Sequence, residues 1–382
     1  MREESIEAKV FKRLETLKQF KIRSLQSYIS VLLIFRRLYV TCFCWLGLKK
    51  TKRTVAVRVW IGRLGNNLIQ IATAEWFARR TGATLSLPPH RFLPLQKYEE
   101  ISGLGFHEKK VKFLQKEKEA LLTREWSLRR LERVAHELEK DLAFCTKNIL
   151  NSSFFWGYDY FGSQQPSVLD YRKILRSLSA ELFENIERVS VPENTLVIHL
   201  RSGDIFKNGP NCGEFVQPPL AFYEEIIERG QYSEIILAST ADLLNPCIQA
   251  LLEKYPQARV QSRSLSEDAA LLLSAPNLAI AMSSFSLALA MCSDRLKRLF
   301  VPAFVEHTNV ARYLTSVRSN LFRVYDAKIP LGSRLIRAAE LDFEVRRLHL
   351  PGYIPVGKWQ ANPYQLDRLL SYPRGRITVE SP

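Results

Sequence analysis

The sequence predicts an α/β protein, and three observations carry that expectation. Short apolar, β-branched runs alternate with amphipathic stretches along most of the chain. The glycine-containing turn GRLGNN (62–67) stands between one such run and a helical stretch. The second half opens on LVIHL (196–200), a continuous apolar run suited to a buried parallel strand. With 382 residues, 46% hydrophobic and 25% charged, the chain is globular in composition and too long for one ordinary core, so two domains are expected.

Residues 1–53 read as a basic N-terminal arm. The formal charge is +16, and residues 1–60, with 14 Lys/Arg against 4 Asp/Glu, supply +10 of it. A nucleic-acid-binding body would spread its basic charge over a groove-facing surface. Charge concentrated in an arm suits an anionic membrane surface instead. Within the arm, YISVLLIF (28–35), Arg36-Arg37 and LYVTCFCWLGL (38–48) together span 21 residues, long enough to cross a bilayer. Two central arginines cost about 5–7 kcal/mol of insertion, and the apolar residues return about 3–7. The balance predicts a helix lying at a membrane interface, with Lys49, Lys50, Lys52 and Arg53 on headgroups. A helix packed on the protein's own surface is the alternative. No secretory signal pattern precedes the run. The expected location is cytoplasmic, peripheral on the inner face of a membrane, with a Golgi membrane as the alternative. The six cysteines form no CxxC pair, which favours reduced, buried thiols and excludes a finger-like zinc site.

After the arm, TVAVRVW (54–60) reads as a strand, LIQIATAEWFARRTG (68–82) as a helix closed by Gly82, and ATLSLPP (83–89) as the next strand, a βαβ opening. Residues 107–147 are charged and helix-favouring and read as a solvated helical excursion. A second winding starts at 192–200. It continues through a helix near 219–229, a strand at 233–239, a helix at 243–254, a strand at 258–262, a helix at 266–274 and a strand at 277–283. The expected division is 54–190, an N-terminal α/β domain with a helical insertion, then 191–330, a second α/β domain. Residues 331–382, proline-rich and basic, read as an irregular tail.

Three stretches carry chemistry. Gly62, Gly65 and Asn66, with Leu64 and Gln70, form a G-x-L-G-N-x-L-x-Q turn, where glycines let backbone approach a ligand and the following helix N-terminus favours an anion. It is not the dinucleotide fingerprint, and taken alone a plain tight βα turn is the favoured reading. His199, Arg201 and Asp204 stand at the C-terminal end of a buried strand, where ligands bind in open α/β sheets. Arg201 can clamp phosphate oxygens, or it can pair structurally with Asp204. Ser283, Ser284 and Ser286 lie between a strand and an apolar helix. They can serve as N-caps or direct hydroxyl and N–H groups at a phosphate.

Taken together, these motifs resemble the α-1,2-fucosyltransferases and the wider group of fucosyltransferases with an HxRxxD signature. That family's GGLGNQMFQ-like turn is matched by GRLGNNLIQ, its HIRRGDY-like motif by HLRSGDI (199–205) and its NSSFSWWGA-like motif by MSSFSLALA (282–290). Weaker echoes are FWGYDYF (155–161) and Asp268, Leu272 and Ser274. The resemblance implies a GT-B-like fold of two Rossmann-like domains facing a donor cleft. It implies inverting, metal-independent transfer of fucose from GDP-fucose to a glycan hydroxyl, with no cofactor beyond that donor. By the same resemblance Arg201 would bind the β-phosphate, flanked by His199 and Asp204. Ser283, Ser284 and Ser286 would line the donor side, Gly62, Gly65 and Asn66 would close over it, and Asp242 would contact the base. The sequence departs from the family at Arg63 (for the second glycine), Ser202 (for a second arginine) and Leu287–Ala288 (for paired tryptophans). Because serine already stands at 202, Ser202→Ala is expected to be mild. A transferase with another donor sugar, and a silent membrane-associated nucleotide-sugar or glycan binder, remain as alternatives. Glu214, Asp159 and Glu75 are the candidate general bases, and no nucleic-acid partner is expected.

Overall fold

The computed structural model describes residues 54–57, 60, 62–96, 98, 149–151, 166–206, 217–240, 242–261, 264–304, 320–329, 340–354 and 359–380. The N-terminal arm, most of the helical excursion and the FWGYDYF segment lie outside them. Among the described residues, no helix is long and apolar enough to cross a membrane.

The α/β class holds. The first layer is a small parallel sheet of β1 (Thr54–Ala56), β2 (Thr84–Ser86) and β3 (Ile149–Asn151), in the order β2-β1-β3. Helix α1 (Leu64–Thr81) joins β1 to β2 and closes on Gly82, whose φ of +62° and N–H bond to the Ala78 carbonyl make a left-handed cap. The expected start of this helix at residue 68 moves back to Leu64, so Gly65 and Asn66 lie inside its first turn. Helix α2 (Val168–Leu182) starts on a capping box in which Ser167 and Asp170 satisfy each other's backbone N–H groups.

The second layer is a seven-stranded sheet. Its strands are β4 (Thr195–His199), β5 (Glu234–Ala238), β6 (Ala258–Gln261), β7 (Asn277–Ile280), β8 (Arg298–Ala303), β9 (Glu344–His349) and β10 (Thr378–Glu380). Helices α3 (Leu220–Gly230), α4 (Pro246–Lys254), α5 (Leu265–Ser274), α6 (Ser284–Cys292) and α7 (Pro363–Leu370) connect them. The order is β10-β9-β8-β7-β4-β5-β6, parallel throughout except for β10 on the edge. The chain winds from β4 outward to β5 and β6, then returns to β7 on the other flank of β4. That reversal leaves a crevice beyond the C-terminal ends of β4 and β7, where ligands bind in open α/β sheets.

Leu196, Val197, Ile198, Leu278, Ala279 and Ile280 are fully buried, so the two central strands are covered on both faces, as an apolar run predicts. The layers share one continuous apolar core, and α1 and α2 both pack on α6.

The expected irregular tail does not hold. Residues 344–349 (EVRRLH) form β9, and 378–380 form β10. Charge masked the strand: Arg347 is fully buried, yet its guanidinium is met by the Asp326 carbonyl at 2.6 Å and by Glu380 of β10 at 2.7–2.8 Å.

Candidate functional site

The register sets the three motifs side by side. His199, the last residue of β4, lies opposite Ile280 of β7 and Ala238 of β5. Arg201 follows His199 by two residues, as Ser283 follows Ile280 by three. The His199 and Phe285 rings meet at 5.8 Å between centroids, bringing the second motif onto the third. The first motif arrives from the other layer. A Cβ added at Gly65 would fall well under 3.0 Å from the Phe285 N and Cα atoms and the Ser284 carbonyl carbon. Glycine is needed here because two helix N-termini touch backbone to backbone.

Gly62, at φ +74°, takes a conformation that side chains rarely adopt, and the Asn66 side chain folds over it. Behind the turn, Asn67 Nδ2 donates to Gln70 Oε1 at 3.2 Å, and His90 bonds Asn67 Oδ1 at 3.1 Å. His90 Nδ1 accepts the Phe92 and Leu93 N–H groups, so its proton sits on Nε2, and burial lowers its pKa to about 4. Gln70 thus serves the packing of this turn.

His199 is held neutral. Burial, and then the nearby Arg201 guanidinium, lower its pKa to about 4. Its Nδ1 is buried without a hydrogen-bond partner, as are Ser239 Oγ, just past β5, and Ser286 Oγ in the first turn of α6. Three such atoms lie at the same edge of three adjacent strands. Buried polar groups in folded proteins are normally paired, so these atoms, unpartnered among the described residues, are groups a bound molecule could engage. Ser283 occupies the N-cap of α6, yet its side chain caps nothing, so the plain capping reading of the serines is not realised. Ser239 escaped sequence reasoning; the only signal was its position ending the strand LAS.

Asp242 and Ser202 are bonded to each other across the two loops. Ser202 Oγ donates to Asp242 Oδ1 at 2.7 Å and accepts the Asn245 N–H at 3.1 Å. The same carboxylate oxygen accepts from Thr240 Oγ1 and from the Gly203 and Leu244 N–H groups. Burial would raise the Asp242 carboxyl, but these bonds, led by that from Ser202, outweigh it and hold it below its ordinary value. Asn245 Nδ2 adds a 3.0 Å bond to the Arg201 carbonyl. The pair fixes the backbone that carries Arg201, and Ser202 is buried and bonded on both sides, which argues for a larger effect of Ser202→Ala than the mild one expected.

Asp204 lies in the short 3-10 turn Gly203–Ile205, and its side chain is outside the described residues. So are Glu214 and Asp159. Glu75 is paired with Arg79 at 2.7 Å on α1. Among the described residues, no group of three or more His, Cys, Asp or Glu side chains could hold a metal ion. Cys247 and Cys292 are buried free thiols, and burial pushes both pKa values up, that of Cys292 to about 12.

No family model matches the chain, and no curated protein matches it in sequence. Similar solved structures include a mutant of Arabidopsis thaliana FUT1 in complex with GDP, at 13% identity and a TM-score of 0.39, covering 74% of this chain and 80% of that one. Escherichia coli heptosyltransferase WaaC with ADP-2-deoxy-2-fluoro heptose aligns at 13% identity and a TM-score of 0.36, covering 67% and 90%. The same enzyme with ADP aligns at 11% and 0.34, covering 70% and 90%.

Proposed function

We propose that the protein is a glycosyltransferase of GT-B-like form that takes a nucleoside-diphosphate sugar, with GDP-fucose as donor and a glycan hydroxyl as acceptor. The observation that carries this reading is the contact of His199, two residues before Arg201, with Phe285 in the first turn of α6 at the crevice between β4 and β7, beside buried polar atoms that have no hydrogen-bond partner among the described residues. An anion bound there would face helix N–H groups on one side and a guanidinium on the other.

In the proposed reaction the acceptor oxygen forms a bond to the donor's anomeric carbon as the bond from that carbon to the β-phosphate oxygen breaks. The electron pair leaves with the diphosphate, and the acceptor's proton passes to a base. Charge growing on the leaving group is met by Arg201 and the α6 N-terminus, without a metal or other cofactor. Neutral His199 adds no competing positive charge and offers a ring nitrogen to the bound donor. The division at 54–190 and 191–330, and peripheral membrane contact through residues 1–53, belong to the same proposal. A thermal-shift screen tests it, because a ligand that binds only the folded state raises the melting temperature. GDP should raise it more than UDP, CMP or ADP. Equal shifts with GDP and UDP would remove the fucosyl assignment, and no shift with any of them would remove the nucleotide site.

A further inference from the structure

Helix α6, which carries the serines, is held along most of its length by apolar packing, with its C-cap Ser293 bonded to the Leu273 carbonyl at 2.7 Å. Ser286 to Cys292 are all buried, and the last six of these residues are apolar (LALAMC). Apolar packing is non-directional and tolerates sliding. Directional contacts exist at the two ends. At the N-terminus the Gly65 backbone abuts Ser284 and Phe285. At the C-terminus stands Arg172, a buried arginine of α2 that the proposed chemistry does not use.

Arg172 Nη1 donates to the carbonyls of Ala290 (3.3 Å), Met291 (2.8 Å) and Ser293 (2.6 Å), the open end of α6. Its Nε and Nη2 make a two-pronged pair with Asp342, at 2.7 and 2.6 Å, and the guanidinium lies 5.0 Å from the Phe343 ring centroid. The fork is thus fixed on one side by a carboxylate, so its third nitrogen is aimed at the helix end. Asp342 is held below its ordinary pKa chiefly by Arg172, and the pair carries no net charge. What it supplies to the far end of the helix is therefore position more than field.

We infer that Arg172 is a positioning residue for the anion site: with Asp342 it sets α6 from behind, so that the first turn meets Arg201 at the right distance. The inference rests on the function proposed above. A nine-residue helix is about 13 Å long and moves as a rod, so slack at Cys292 reaches Ser284 undiminished.

The test uses the full chain and GDP. Calorimetric Kd and melting temperature are measured for Arg172→Met, Arg172→Lys and Asp342→Asn, with Ile226→Val, a core change on α3, as a control for stability alone. The expected result is GDP affinity weakened about tenfold or more by both Arg172 variants while folded, because a displacement near 1 Å can cost that much. Lysine should not rescue, since a point charge cannot hold carboxylate and carbonyls together. Ile226→Val should lower the melting temperature and leave Kd alone. If the Arg172 variants do not fold, Asp342→Asn, which changes an exposed partner, should still weaken GDP about threefold or more by loosening the fork. Wild-type Kd in folded Arg172 or Asp342 variants overturns the inference and leaves the anion site standing. Full rescue by lysine also overturns it, in favour of charge. A wild-type chain that binds no nucleoside diphosphate overturns both.

Discussion

Ser202 and Asp242 are joined by a 2.7 Å hydrogen bond that ties the loop after β4 to the loop after β5. The bond holds the backbone from which Arg201 projects, because Asn245, anchored on Ser202 Oγ, in turn bonds the Arg201 carbonyl. Ser202→Ala would leave the Asn245 N–H without the Ser202 hydroxyl and remove a 2.7 Å bond to the Asp242 carboxylate. A buried group left unpaired costs about 1–3 kcal/mol. Urea unfolding should therefore show a loss of that size, with part of the nucleotide affinity gone too. A variant as stable as the wild type would mean that water replaces the hydroxyl.

Gly65→Ala should be more damaging. The added methyl meets backbone, which cannot rotate away, so α1 and α6 must separate. Overpacking of this kind costs about 1–3 kcal/mol and here also shifts the serine turn. The expected outcome is a lowered melting temperature together with weakened GDP binding. Gly82→Ala is a useful contrast: open space surrounds it, so its cost comes from its positive φ alone and should leave binding intact.

Two partly buried histidines predict the acid side of the stability curve. His199 and His90 both titrate at about 4 in the folded protein, below the ordinary 6.5. Between those values the unfolded chain binds more protons, so stability should rise with pH from about 4 to about 6.5 and then level off. Denaturant titrations across that window should show the slope, and His199→Gln should reduce it. NMR titration of His199 near 6.5 would contradict the account of its burial.

Turnover should survive EDTA, since the proposed reaction meets the diphosphate charge with Arg201 and helix N–H groups. Activity lost on chelation and restored by Mn²⁺ would refute that.

Much of the fold was legible in the sequence. The buried strand ending at His199, the alternation from residue 192 to 283 and the Gly82 cap all declare themselves through hydrophobic runs and turn chemistry. The strand order was not legible, because parallel pairing is fixed by non-local contacts. Strand β9 was hidden by Arg346 and Arg347: Arg346 pairs with Glu344 two residues back, and Arg347 pairs with Glu380 on β10, far along the chain. At the site, the three motifs converge as the family resemblance implied, whereas the roles of Ser202 and Asp242 depend on hydrogen bonds that no local pattern encodes, and Ser239 is marked only by its place at the end of β5. Arg172 was invisible for the same reason: it bonds residues more than 110 positions away.

The central claim is that Arg201 stabilises a departing diphosphate at the β4–β7 crevice, and the direct measurement is kcat with donor Kd for Arg201→Ala and Arg201→Lys. Help that grows in the transition state appears in kcat more than in Kd. Arg201→Ala, with folding confirmed by circular dichroism, should lose about 10²–10³ in turnover, or about 3–4 kcal/mol, with a smaller change in donor affinity. Lysine should recover little, for want of the bidentate fork. A folded Arg201→Ala protein keeping more than about a third of wild-type turnover would contradict so large a contribution.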